Sequence, residues 1–137
     1  MLQSVADYQD WQPDSDQWSF RYVAAHLATT EDECFFDRVK RFSTEETPHF
    51  EHYENTGSDF SRFELTDSLR EWDSSRKQLL DTVRTMPESI WSRTATHSTR
   101  GTQTLLELLQ VMLEHDHDHL RDVQRALTKF AESHGAQ

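Results

Sequence analysis

The sequence predicts an all-α fold, an up-and-down four-helix bundle with a short N-terminal helix. Three observations carry that reading. Apolar residues recur at three- and four-residue intervals through three long stretches, which places them on one face of a helix. Three glycines and three prolines in 137 residues leave little material for the turns of an all-β fold. Eight phenylalanines and four tryptophans supply large buried area per residue where hydrophobic content is only 34%. A chain of this length is most simply one domain, residues 1–137, with one continuous core.

The elements follow in order. Leu2 to Trp11 forms the short helix, stopped by Pro13, and Asp14-Ser15-Asp16 is turn-like. Ser19 is the expected N-cap of the first long helix, because its hydroxyl can satisfy a free backbone N–H. Phe20, Val23, Ala24, Leu27, Glu31, Cys34, Phe35 and Phe42 keep helical spacing and carry that helix to about Phe42. From Ser43 to Phe63 the periodicity is lost, with Pro48, Gly57 and scattered polar residues, and at most a helical turn near Phe50. A connection this long is unusual and often functional. Leu65, Leu69, Trp72, Leu79, Leu80, Val83 and Met86 then mark a second long helix from about Thr66 to Thr85, ended by Pro87. Glu88 to Trp91 suits a turn of helix, and the polar stretch Ser92 to Gly101 a loop. The last helix begins near Thr102, where Thr104 and Glu107 have capping-box spacing, and runs to about Glu132.

Charge narrows the function classes. Twenty-five acidic against fourteen basic residues give a net −11, which argues against nucleic-acid binding and against docking on an anionic membrane. No apolar run approaches transmembrane length, and the N-terminus has neither a charged nor an apolar region of secretory type, so the chain reads as cytoplasmic. A single cysteine, Cys34, excludes an internal disulfide framework and is read as a small core residue. The short first helix leaves apolar surface that a homodimer would cover.

The chemistry concentrates in His115-Asp116-His117-Asp118-His119, which closes the apolar part of the last helix. At 100° per residue, with Met112 taken as the centre, His115, Asp116 and His119 fall within roughly 60° of the inward direction, as do Leu105, Leu108 and Val123. His117 and Asp118 fall on the other side. Two imidazoles one turn apart can converge on one ion, at about 2.0–2.1 Å for zinc. The alternative is a pair of ordinary core histidines. A third ligand has to come from another helix, and His26, at the border of the first helix's apolar stripe, suits either a ligand or a surface histidine. Glu31, Glu33 and Asp118 are read as solvated helix-face charges. There is no phosphate-cradling glycine loop and no G-x-S-x-G elbow. The run departs from the H-E-x-x-H of zinc proteases, having Asp for Glu.

Set in order along the chain, these pieces resemble the DinB/YfiT-like superfamily. Trp18-Ser19 followed by Val23-Ala24-Ala25-His26-Leu27 through Glu31 is similar to one of its stretches. Arg76 before Leu79-Leu80 is similar to a second, and Gly101-Thr102 through His115-Asp116 and His119-Leu120 to a third, so that the resemblance spans about residues 16–127. It implies a four-helix bundle holding one divalent metal, zinc or nickel, on three histidines that map to His26, His115 and His119. Family members usually carry a longer first helix. Some are S-transferases or isomerases using a low-molecular-weight thiol, and others are metal-dependent hydrolases. The expectation is therefore a metal-dependent enzyme of the thiol S-transferase type acting on a small molecule, with Asp116 accepting a proton or orienting a ligand imidazole. A hydrolase, or a non-catalytic structural or stress-related binding module, is the alternative. A loose His/Asp-rich chelator would instead make His117 matter as much as His115.

Overall fold

The computed structural model describes residues 1–135. A 3₁₀ segment, Leu2–Tyr8, precedes a continuous helical rod made of α1 (Phe20–Thr30), a π-helical stretch (Glu31–Phe36) and α2 (Asp37–Thr44). Two further long helices follow, α3 (Leu65–Arg84) and α4 (Leu105–Ser133). Together these make a mainly α, four-helix bundle. No helix among the described residues is long and apolar enough to cross a membrane.

Both expected N-caps are formed. Ser19 Oγ accepts from the backbone N–H of Tyr22. Thr104 and Glu107 make the reciprocal pair of a capping box at the start of α4, which satisfies two of that helix's free N–H groups. Such caps are each worth about 1 kcal/mol.

Three expectations are corrected. The first is the stretch 92–101, expected as loop, most of which is part of a β-hairpin, β2 (Thr94–His97) against β3 (Gly101–Thr104). The second is the turn near Phe50, which is instead a two-residue strand, β1 (His49–Phe50), parallel to β2 in a sheet ordered β1-β2-β3. β2 alternates exposed Thr94 and Thr96 with buried Ala95 and His97, so its inward face carries one small and one polar residue. A strand without large inward side chains has no hydrophobic alternation to detect. Gly101 turns the hairpin at φ 74°, a left-handed conformation that glycine adopts without steric penalty.

The third correction is the N-terminal helix, which stops at Tyr8 rather than Trp11 and is kinked at Val5. It nevertheless covers one end of the bundle. Leu2 and Val5 are buried with Phe20, Ala24, Leu65 and Val123, and Trp11 stacks on Phe20 at 5.4 Å between ring centres.

The core falls into two clusters. That one lies toward the N-terminal 3₁₀ segment. The other joins Phe35, Phe42, Phe50, Leu79, Leu105, Leu108 and Met112. Along α4 the first cluster ends at Val123 and the second at Met112, and His115, Asp116 and His119 lie between. Along α1 His26 follows Ala24, and along α3 Arg76 separates Leu69 from Leu79. A polar layer therefore crosses the middle of the bundle.

Candidate metal centre

Helical phase brings His115 and His119 to one face of α4, and α1 presents His26 opposite them. His119 Nε2 stands 3.1 Å from His115 Nε2 and 3.1 Å from His26 Nε2. Each of the three residues thus offers a ligand atom within 4.8 Å of the others. In a tetrahedral site with bonds of about 2.0–2.1 Å, ligand nitrogens lie about 3.3 Å apart, close to the two separations that His119 makes. Of the three, His26 is buried and the other two are half-buried. His117 is exposed on the far side of α4.

Protonation supports the same assignment. Nδ1 of His26 faces Oδ1 of Asn55 at 2.6 Å. The amide is fixed by Tyr53, whose one hydroxyl proton goes to Glu33 Oε1, so that it can only accept from Asn55 Nδ2, which also reaches Thr30 Oγ1. Nδ1 must therefore carry the proton, leaving a lone pair on Nε2 that points at the other two rings. Burial pushes the pKa of His115 down to about 4, aided by the charges that His119 and His26 would carry. It also lowers His26 and His119. Three imidazoles held toward the neutral form, their ring nitrogens gathered together, are a donor set that fits a divalent transition metal.

Asp116 lies beside this set but does not hydrogen-bond to its imidazoles. Its Oδ2 accepts from Arg76 Nη1 at 3.0 Å and its Oδ1 from Nη2 at 3.2 Å. The same guanidinium is gripped by Glu31 through Nε and Nη2 and lies over the Trp72 ring at 4.8 Å. Arg76 thus ties three helical segments together next to the histidines; burial pulls its pKa down, but its two carboxylate partners outweigh this and raise it. Glu31, expected as a solvated charge, is only 2% exposed, and this is a correction. Its carboxylate sits on the apolar stripe because the buried arginine compensates it. Glu33 and Asp118 are exposed, as expected.

Three cavities border the histidines, and one of them, about 420 Å³, lies between His119, Trp18 and Val23. A larger one, about 740 Å³, is lined by His119 and Asp116 with Leu27, Leu69, Trp72 and Val123. The third, about 370 Å³, is lined by His26, His115, Cys34 and Phe35, and by Arg38 and His97. Cys34 is 5% exposed and burial pushes its thiol up to about 11, which favours the thiol over the thiolate at neutral pH.

Sequence reading missed Asn55, the Glu31–Arg76 pair and the cavity-lining Arg38 and His97. The available signal for Asn55 was the length of the 43–63 connection, which exceeds what joining two helices requires.

Comparisons with known proteins agree with the fold. The family model of the DinB superfamily matches residues 6–123. Among solved structures, YfiT from Bacillus subtilis, described as a probable metal-dependent hydrolase with an unusual four-helix bundle topology, is similar with a TM-score of 0.74. It is 24% identical, over 94% of this chain and 74% of that one. TT2238, described as a four-helix bundle protein, is similar with a TM-score of 0.62 and 19% identity, over 91% of this chain and 88% of that one. No curated protein matches.

Proposed function

The chain belongs to the DinB superfamily, and from that premise we propose that it holds one divalent transition metal, zinc or nickel, on His26, His115 and His119. We further propose that it catalyses metal-dependent transfer involving a low-molecular-weight thiol and a small-molecule substrate. The observation that carries the metal reading is the convergence of the three Nε2 atoms, with the His26 tautomer fixed by Asn55.

When bound by three histidines, such an ion keeps an open position and lowers the pKa of a water or thiol placed there. The residues around it have separable tasks. Asn55 orients His26. Arg76 holds Asp116 at the wall of the largest cavity, where its partly exposed carboxylate can take a proton from a substrate lying beside His119. The apolar walls of that cavity, Leu27, Leu69 and Trp72, exclude water and suit an organic substrate. Separate cavities bordering His119 and the His26–His115 pair suit a reaction between two organic molecules, which favours transfer. Hydrolysis, with water in the open position, is the second reading, and the description of YfiT favours it.

Two measurements test the proposal in turn. Metal analysis of purified protein should give about one equivalent, and less than about a tenth, with no uptake on reconstitution, would sink it. Metal-loaded protein is then assayed with thiols and electrophiles against ester and amide substrates alone. Turnover that requires the thiol supports transfer, and thiol-independent turnover supports the hydrolase.

A further inference from the structure

Arg38 is the anomaly in this molecule's charge pairing. It is 8% exposed, on α2, yet it has no carboxylate partner among the described residues. Its guanidinium donates to the Glu51 carbonyl oxygen at 2.8 Å and lies over the Phe50 ring at 5.2 Å. The other well-packed arginines are accounted for. Arg21, Arg41 and Arg76 each grip a carboxylate, and Arg93 donates to the Phe42 and Glu45 carbonyls at the end of α2. A buried cation without a counter-charge is costly, and the usual resolution is an anion brought to it.

The neighbourhood supplies further donors. Arg38 lines the smallest of the three cavities together with Arg100 and His97, and His26 and His115 line the same space. His97 is 5% exposed, and its Nδ1 accepts from the backbone N–H groups of Thr99 and Arg100. Nε2 must then carry the proton, and it has no acceptor among the described residues. Burial, then Arg38 and Arg100, lower the pKa of His97 and keep the ring neutral.

We propose that Arg38, Arg100 and the Nε2–H of His97 form a subsite for a carboxylate on the small molecule that occupies this cavity. A planar carboxylate matches the guanidinium fork. Glu54, Glu114 and Asp118 also line the cavity, so repulsion weighs more heavily on a dianion such as phosphate than on a carboxylate held at the arginine end. The anchor would hold one end of the ligand in the space that His115 also borders. That the other end meets a metal rests on the function proposed above, whereas the subsite itself does not.

The test is a titration of full-length protein, zinc-loaded and metal-free, with propionate and with inorganic phosphate. It is followed by nitrogen-resolved NMR of the arginine Nε–H and histidine ring signals. Propionate is expected to move the Arg38 and His97 signals and to saturate in the millimolar range. Arg38→Met should weaken it at least about tenfold, the loss of a charge-assisted bond, while zinc uptake stays at wild-type level. Arg100→Ala, on an exposed turn, should weaken it about threefold and provides the test if Arg38→Met fails to fold. Unmoved Arg38 and His97 signals, or Arg38→Met and Arg100→Ala proteins that bind like wild type, would overturn the subsite. Phosphate binding there more tightly than propionate would overturn the carboxylate assignment. Because the metal-free arm needs no zinc, failure of the metal reading would appear separately, as absent uptake with propionate binding intact.

Discussion

Nδ1 of His26 lies 2.6 Å from Oδ1 of Asn55, and the bond joins the first long helix to the irregular connection some thirty residues further on. The amide is fixed by Thr30 and Tyr53 on its other side, so it dictates which ring nitrogen of His26 is free. Partners of this kind typically contribute 10- to 100-fold to metal affinity. Asn55→Ala should therefore weaken zinc binding by about that factor, read by competition with a chromophoric chelator. Asn55→Asp keeps an acceptor for Nδ1–H and should recover most of the loss. Equal affinity in all three proteins would remove Asn55 from the site.

Arg76 makes a different kind of contribution. Glu31 is 2% exposed and Arg76 15%, so each depends on the other for compensation. Removing one partner of a buried pair leaves the other charge stranded, at a cost of about 3–5 kcal/mol. Urea unfolding of Arg76→Met should show a loss of that order. The double variant Arg76→Met with Glu31→Met should regain much of it, because no buried charge is then stranded on the π-helical stretch. A double variant no more stable than the single one would contradict this account.

The long helices were legible in the sequence because their signals are local. Periodicity placed α3 within a residue at each end, and Ser19 and the Thr104–Glu107 pair marked two helix starts by side-chain chemistry alone. The inward turn of His115 and His119 followed from counting along one helix. What escaped detection depends on partners distant in sequence. Glu31 looked solvated because its arginine lies 45 residues away, and Asn55 could not be linked to His26 without the fold. The sheet was missed because β1 is two residues long and β2 carries no large apolar side chain. The third ligand, His26, was implied by family resemblance rather than by phase, since it sits at the edge of its stripe. The π-helical stretch Glu31–Phe36 also breaks the 100° count on which phase depends.

The acid behaviour of the centre follows from its burial. An ordinary histidine titrates near 6.5, and three such ligands would each be about 90% protonated at pH 5.5, costing roughly a thousandfold in affinity. Here His115 is pushed down to about 4 and the other two are lowered as well, so protons compete less. Protonation opposes binding, so affinity must fall as pH decreases, but the fall begins lower. Zinc affinity should be nearly flat from pH 8 to about 6.5 and lose well under a thousandfold by 5.5. A full thousandfold loss between those limits would show that burial does not protect the ligands.

The last comparison separates a built site from a His-rich strip of helix. His115 and His117 are two residues apart on α4, with the same side-chain chemistry and acidic neighbours in the same run. A loose chelating run would use both. In the structure they diverge, because a two-residue step turns about 200° around the helix. His115 meets His119 at 3.1 Å and packs edge-on against Phe35, while His117 is exposed. His115→Ala should abolish stoichiometric zinc binding in calorimetry, whereas His117→Ala should leave affinity within about twofold, as expected for a surface substitution. Equal losses in the two variants would favour the chelating strip and remove the reason for placing a reaction at this layer of the bundle.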